Sequence, residues 1–175
     1  LFLLCLSLLT TFQLSAQAPF EKGYFITNQG ERVECLIKNR DWANNPKKFL
    51  YQTPAQSTEK KEAVLDSVKE FGIYNFSKYV RVTVQVDTSS ENLSNMSFER
   101  DPLFENRTVF LKVLVSGKAS LLGYREKSLL RFFFRMDDSD IEPLIYKPYK
   151  IRESRFKWND RFRQQLFGQL KCPDL

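Results

Sequence analysis

The sequence contains no histidine among its 175 residues. This absence excludes catalysis by a histidine acid or base, nucleophiles paired with histidine, and every zinc site that needs a histidine ligand. Extremes of composition are absent as well, since 42% of the residues are hydrophobic and 27% are charged. Such a composition excludes wholesale disorder and predicts a folded protein, and the length fits one domain.

Charge is missing from residues 1–14, which form an apolar run as long as the core of a signal peptide and too short for a membrane-spanning helix. The string SAQA at residues 15–18 contains the small-x-small spacing that signal peptidase recognises. Residues 1–16 are therefore predicted to be a signal peptide cleaved after Ala16, because cleavage after Ala18 would place a proline beside the scissile bond. A buried N-terminal helix is the alternative, and the lack of a 3.6-residue alternation disfavours it. No basic segment precedes the run, so we expect the sequence to be truncated at its start.

Cysteine is scarce, with three residues in the chain. Removal of the signal peptide takes Cys5 away and leaves Cys35 and Cys172, which can pair in only one way. A disulfide between them would tie the second strand to the C-terminal helix in an oxidising compartment. The alternative is a buried thiol at Cys35 and a partner for Cys172 beyond the end of this sequence. The sequence leaves both alternatives open.

β-branched and aromatic runs, separated by turn residues, dominate the chain from Gly23 onward. Residues 23–27 and 32–38 predict a first hairpin, in which Gly30 supplies the positive φ of the turn. Two further short strands are predicted at residues 47–52 and 63–66.

The clearest strand is residues 79–87, where valines alternate with polar residues and define one apolar face. These valines are Val80, Val82, Val84 and Val86. The polar segment 88–106 that follows predicts a mobile surface loop or a short helix. A meander of three strands is then predicted at residues 109–115, 119–125 and 129–135.

The last part of the chain changes its periodicity. Residues 141–146 and 148–152 predict one or two short strands, and a helix is predicted at about 159–171, capped by Asn159. Its apolar side would consist of Phe162, Leu166, Phe167 and Leu170, packed on the sheet. The fold class predicted is mainly β: one domain over residues 17–175, an antiparallel meander forming a roll, barrel or sandwich of about 8–10 strands, with one C-terminal amphipathic α-helix.

Motifs for chemistry are rejected by their spacing. The Gly117-Lys118 pair has Lys112 where a phosphate-binding loop needs its first glycine, so it indicates a hairpin turn. The acidic run 137–140 lacks the glycine and distal glutamate of a calcium loop and indicates a solvated turn. Four carboxylates remain as nominal catalytic candidates, without a distinguishing spacing: Asp66, Glu70, Asp87 and Glu142. We therefore assign no catalytic, cofactor or metal residues and predict a protein that is not an enzyme.

The net charge of +6 is concentrated near the C-terminus. Eight basic residues lie between Lys147 and Lys171, against Glu153 and Asp160, so this segment carries the whole excess. It predicts contact with an anionic membrane surface or an acidic protein partner, and a solvated outer face is the alternative. Nucleic acid is disfavoured, because an exported chain rarely meets it and residues 131–135 lack the glycines of an RNA-binding motif. The candidate contact residues are Lys147, Lys150, Arg152, Arg155, Lys157, Arg161 and Arg163.

Aromatic residues are abundant, with sixteen Phe, seven Tyr and two Trp. Most of the phenylalanines are needed for the core, but aromatic residues exposed on a sheet could also bind lipids or glycans. A small-ligand-binding β-domain is therefore the alternative to an interaction domain.

Several strings of the sequence resemble a family of uncharacterised exported cell-envelope proteins of Bacteroidetes-type Gram-negative bacteria. They are residues 22–26, 35–39, 68–73, 111–115 and 162–166, the last followed by Lys-Cys-Pro at 171–173. The resemblance implies export to the periplasm or outer membrane. It also implies that the chain is the N-terminal, periplasmic part of a longer protein that continues into an outer-membrane barrel. It implies no activity, cofactor or catalytic residue.

Overall fold

Across the residues that the computed structural model describes, 18–53, 59–153 and 155–170, the chain forms twelve strands, one α-helix and one single-turn 3-10 helix. The first six strands are β1 (Phe20–Thr27), β2 (Arg32–Lys38), β3 (Lys48–Gln52), β4 (Lys61–Val64), β5 (Val68–Ile73) and β6 (Ser77–Asp87), with the 3-10 turn at Leu65–Ser67. The others are β7 (Phe104–Val115), β8 (Ala119–Glu126), β9 (Leu129–Met136), β10 (Glu142–Pro143), β11 (Lys147–Arg152) and β12 (Arg155–Asn159), followed by α1 (Phe162–Gln169). The predicted signal peptide lies outside the described residues.

Ten of the strands form one antiparallel sheet in the order β10-β9-β8-β7-β6-β5-β1-β2-β3-β4, and β11 pairs with β12 in a separate hairpin. Within this sheet, neighbours in sequence are neighbours in space except β4 and β5, because β5 pairs with β1 and β4 lies at the far edge. The second half of the sheet curls so that β10 returns beside β6. The predicted β-rich antiparallel meander with one helix near its C-terminal end is confirmed.

The first hairpin forms where the turn chemistry predicts it. Gly30 adopts a φ of 88° and donates its backbone N–H to the carbonyl oxygen of Thr27 at 3.0 Å. The pairing of β1 with β5 places Gly23 opposite Ile73, and a Cβ on Gly23 would lie 2.3 Å from the carbonyl oxygen of the preceding Gly72. Only glycine fits at this point of the sheet.

The hydrophobic core consists of two clusters on opposite faces of the same sheet. Phe110 and Leu111 show this directly, since they are consecutive in β7, point to opposite faces, and are 1% and 0% exposed. Phe110 belongs to a cluster in which Phe71 stacks on Tyr79 with ring centroids 4.8 Å apart. Leu111 belongs to the cluster formed by the β6 valines and Phe133. Strands β6 and β7 are therefore shared by both cores.

The predicted start of the helix is wrong. Asn159 does not cap it, because this residue ends β12 and donates from Nδ2 to the carbonyl oxygen of Arg100 at 3.1 Å. The helix begins at Phe162, and Arg161 occupies the capping position without a side-chain cap. Strand β12 covers residues 155–158, for which the pattern predicted no element, and ends at Asn159.

The helix also packs differently from the prediction. Phe162 and Leu166 are half-buried, but Phe167 is 87% exposed, so the predicted apolar side is only partly covered. A polar residue holds the helix instead: Gln165 donates to the carbonyl oxygen of Pro143 and accepts from the backbone N–H of Ile145, both at 2.9 Å. The helix is therefore attached at the β10 edge of the sheet, through hydrogen bonds.

Candidate contact surface

The hairpin of β11 and β12 carries most of the predicted contact residues. Its register places Lys150 opposite Phe156 and Pro148 opposite Trp158, so these four side chains share one face. Beyond Lys150 the register shifts, and Arg152 then pairs with Arg155 at the tip.

Aromatic rings run continuously from the hairpin to the helix. Trp158 stacks on Tyr146 with centroids 4.6 Å apart and an interplanar angle of 9°, and Phe156 meets Trp158 edge-on at 6.2 Å. Tyr146 in turn meets Phe162 edge-on at 5.5 Å. Between 45% and 50% of the surface of Phe156, Trp158 and Tyr146 is exposed, and the three rings form one contiguous patch. We call Tyr146, Phe156, Trp158 and Phe162 the aromatic ladder.

Basic side chains lie on both faces of the hairpin: Lys150 shares the face of the aromatic ladder, and Arg155 and Lys157 lie on the opposite face. Arg152, Arg155, Lys157, Arg161 and Arg163 are exposed and Lys150 is half-buried. With Glu153 and Asp160 they give the surface a net charge of +4. Within the described ranges only Arg163 of these six has a salt bridge, to Asp160 at 3.3 Å. We call the aromatic ladder and these six basic residues the hairpin surface.

Lys147 does not belong to the hairpin surface, which corrects the prediction. Its side chain is 2% exposed, and its ammonium group donates to the carbonyl oxygens of Glu99 and Asp101, both at 2.6 Å. Burial lowers the pKa of Lys147, and the nearby carboxylates Asp87, Glu99 and Asp101 oppose this shift. Lys147 therefore fastens the hairpin to the rest of the protein and is not available to a partner.

The polar segment 88–103 is the part of the protein to which the hairpin is fastened. Besides the Lys147 bonds, the backbone N–H of Lys150 donates to Ser97 at 2.9 Å, and Asn159 donates to Arg100. The segment contains no helix or strand. The loop predicted over 88–106 is therefore present as far as residue 103, residues 104–106 belong to β7, and the second half of the loop is held in place by the hairpin.

A buried arginine holds the first half of this loop. Arg131 of β9 is 5% exposed, forms a salt bridge with Asp87 at 3.1 Å and donates to the carbonyl oxygen of Ser89 at 2.9 Å. It also pairs with Glu91 of the loop. Because a buried guanidinium needs its donors satisfied, the loop and β9 depend on each other.

Among the described residues, no hydrogen bond or ion pair joins any two of the four candidate catalytic carboxylates. Glu70 accepts from the Tyr24 hydroxyl at 2.6 Å and pairs with Lys78 at 3.0 Å, whereas Asp87 pairs with Arg131. Burial, and then the bond to Glu70, raise the pKa of Tyr24 to about 12. Asp66 lies in the 3-10 turn, where its backbone carbonyl oxygen accepts hydrogen bonds. Glu142 is exposed in β10.

The Gly117-Lys118 pair and the acidic run 137–140, the two segments that resembled ligand sites in sequence, form turns between strands. Ser116, Gly117 and Lys118 connect β7 to β8 as predicted. Residues 137–140 connect β9 to β10, and the backbone N–H of Ser139 donates to Met136 at 2.9 Å. No group of three or more potential metal ligands occurs in the described part of the chain.

Cys35 is 4% exposed in the first core cluster, and burial raises the pKa of its thiol to about 12. Cys172 lies outside the described residues, so the disulfide between Cys35 and Cys172 stays a prediction. In the described ranges, no helix has the length and hydropathy needed to cross a membrane.

Sequence reasoning found the basic residues of the hairpin surface but missed the aromatic ladder. A signal was present, since Phe156 and Trp158 alternate with Arg155 and Lys157, as in a strand with one apolar and one basic face. Tyr146 and Phe162 carried no such signal, because they flank the hairpin and join the ladder only in the folded chain.

Comparison with known proteins adds no relative, because no family model, no curated protein and no solved structure matches the chain. The resemblance to exported envelope proteins stays a prediction. The function is therefore inferred from the chemistry of the hairpin surface.

Proposed function

We propose that the chain is a non-enzymatic, exported interaction domain of the cell envelope that contacts an anionic membrane surface through its hairpin surface. The observation that supports this most strongly is the combination of half-exposed aromatic rings with six basic side chains, five of which lack ion-pair partners among the described residues. The apolar, charge-free start of the sequence and the resemblance to exported proteins support its place in the envelope.

The aromatic ladder favours a membrane over an acidic protein as the anionic partner. Trp and Tyr concentrate at the level of the lipid headgroups, where an apolar ring and a polar tip are both satisfied. Trp158 and Tyr146 are the Trp and the Tyr of the hairpin surface, and both are exposed. Phe156 and Ile151, 47% and 43% exposed, add apolar area beside them.

The basic residues supply the long-range attraction. Each Lys or Arg near an anionic leaflet contributes about 1 kcal/mol, and this contribution decreases over about one Debye length. The net charge of +4 therefore predicts binding that weakens as salt is added. Both contributions are needed, since a few charges or a few rings alone bind only weakly.

A flotation assay tests the proposal. The chain without residues 1–16 is mixed with vesicles of phosphatidylcholine containing phosphatidylglycerol, and bound protein floats with them. We expect flotation that depends on the anionic lipid and on low salt, and its loss on reversing the charge of Arg155, Lys157, Arg161 and Arg163 to Glu.

The matched control reverses four exposed lysines outside the hairpin surface: Lys60, Lys69, Lys118 and Lys127. This control has the same net charge as the test variant and should still float. Equal flotation of both variants would contradict the assigned surface. Binding to immobilised polyglutamate without binding to vesicles would contradict the membrane and favour an acidic protein.

A further inference from the structure

A cavity of about 380 Å³ lies away from the hairpin surface, on the face of the sheet that carries the first core cluster. It is bounded by the loop at residues 41–45 and by residues of β6, β7, β8 and β9. Its volume lies in the range of about 300–1,000 Å³ that is typical of small-molecule sites. Nothing in the proposed membrane contact uses this cavity.

The loop that forms one wall is fixed by Asn45. Its side-chain amide donates to the carbonyl oxygens of Phe110 at 2.5 Å and Gly123 at 3.0 Å, and its Oδ1 accepts from the backbone N–H of Arg125 at 2.8 Å. The backbone pairing of β7 and β8 ends at Lys112 and Gly123. Asn45 therefore bridges the two strands at the point where their pairing stops. The wall therefore exists before any ligand binds, which lowers the cost of binding.

Part of the cavity lining is apolar. Leu114, Leu130 and Phe132, from β7 and β9, are 45%, 37% and 39% exposed although they are large apolar residues. Gly123 lies between them, where a Cβ would come within 3.2 Å of Leu114 Cδ1, so the absence of a side chain leaves the cleft open. Trp42 closes the side, packed edge-on against Phe71 and Tyr79 at 5.7 Å.

Two cations lie at the rim of this apolar cleft. Lys112 and Arg125 both line the cavity, and neither has a salt bridge within the ranges that the structure describes. Asp41 also lines it, so the site carries a net charge of +1. An occupant that matches both features has an apolar body and one anionic group.

We propose that this cavity binds a single-chain amphiphile with one anionic headgroup, a carboxylate or a phosphate. The chain lies against Trp42, Leu130 and Phe132, and the headgroup meets Lys112 and Arg125. Covering the exposed apolar side chains supplies the affinity, at roughly 25 cal/mol per Å² of apolar surface removed from water. The cations select an anionic headgroup over a neutral one.

Trp42 is the reporter for the test, since the chain has only two tryptophans and the Trp158→Phe variant retains Trp42 alone. This variant of the chain without residues 1–16 is titrated with sodium dodecanoate, with dodecyl phosphate, and with dodecyl maltoside as the neutral control, all below micelle formation. We expect a saturable change in Trp42 emission with at least one anionic probe and an affinity about tenfold lower for the neutral probe. The two anionic probes distinguish a carboxylate from a phosphate headgroup.

The double variant Lys112→Gln/Arg125→Gln should weaken binding of the anionic probe about tenfold. The control Lys69→Gln/Lys118→Gln removes the same charge from exposed positions that do not line the cavity and should leave binding unchanged. Leu130→Gln tests the apolar part and should weaken all probes equally. Circular dichroism verifies that each variant is folded.

No saturable change with either anionic probe would overturn the proposal, and so would equal affinity for the neutral probe. An unchanged affinity in the Lys112→Gln/Arg125→Gln variant would overturn the assigned headgroup site. The fourfold reversal on the hairpin surface should bind the probe normally, so the failure of the membrane proposal and the failure of this one are distinguishable.

Discussion

The buried ammonium group of Lys147 donates a hydrogen bond of 2.6 Å to the backbone carbonyl oxygen of Asp101, 46 positions earlier in the chain. A second bond, also of 2.6 Å, reaches the carbonyl oxygen of Glu99. This one lysine connects the hairpin to the loop after β6, and the orientation of the hairpin surface depends on it.

Replacing Lys147 with Met should therefore destabilise the protein. The variant keeps the length of the side chain but removes the buried ammonium group and its bonds to the carbonyl oxygens of Glu99 and Asp101, which we expect to lower the free energy of unfolding by about 1–3 kcal/mol. Urea unfolding followed by circular dichroism measures this change. The half-buried Lys150, on the exposed face of the same strand, provides the control: Lys150→Met should change stability by less than about 0.5 kcal/mol. Equal effects of the two variants would contradict the anchoring role of Lys147.

A methyl group at Gly23 tests the close approach of β1 and β5. The added Cβ would lie 2.3 Å from the Gly72 carbonyl oxygen, and a backbone atom cannot move aside as a flexible side chain can. We expect Gly23→Ala to lower the free energy of unfolding by about 1–3 kcal/mol. Gly168 of α1 is the control, because nothing lies within 4 Å of a Cβ there, and Gly168→Ala should be neutral or stabilising by up to about 1 kcal/mol. A tolerated alanine at Gly23 would show that the two strands are further apart.

The thiol of Cys35 should be unreactive in the folded protein. Burial raises its pKa to about 12 from an ordinary value of 9.0, so the folded state holds this proton more tightly than the unfolded state does. The resulting contribution to stability is fully present below about pH 9 and decreases as the pH rises towards 12. Mass spectrometry after iodoacetamide treatment at neutral pH should find Cys35 unlabelled in the native protein and labelled in urea. Rapid labelling of the native protein would contradict the burial.

The same experiment separates the two alternatives for the cysteines. Labelling in urea without a reductant requires a free thiol, so labelled Cys35 excludes a disulfide with Cys172. If labelling in urea appears only after reduction, the disulfide is present in the purified protein.

Sequence pattern predicted the sheet well where apolar residues alternate along a strand. In β6 the alternating valines Val84 and Val86 lie in the second core, as the period of two requires. The pattern failed at β12, because Asn159 has the chemistry of a helix cap and is followed by residues at helical spacing. Its actual role, a bond to Arg100, involves a residue 59 positions away, which local patterns do not register.

The sequence predicted the positive charge of the hairpin surface, but it did not predict which of the basic side chains are exposed. Lys147 and Lys150 are both lysines of one strand, and only the loop that covers one of them makes their roles differ. The cavity beside Trp42 had no local signal at all, because its walls come from one loop and four strands and meet through the bonds of Asn45.

The most direct test of the membrane contact measures Trp158 itself, in a Trp42→Phe variant where it is the only tryptophan. Vesicles of phosphatidylglycerol and phosphatidylcholine with brominated acyl chains are added, and emission from Trp158 is recorded. The proposal predicts a blue shift and quenching by the bromines, reversed by salt and lost when Arg155, Lys157, Arg161 and Arg163 are changed to Glu. Unchanged emission from Trp158 at vesicle concentrations that float the protein would contradict it, because the protein would then meet the membrane through another surface.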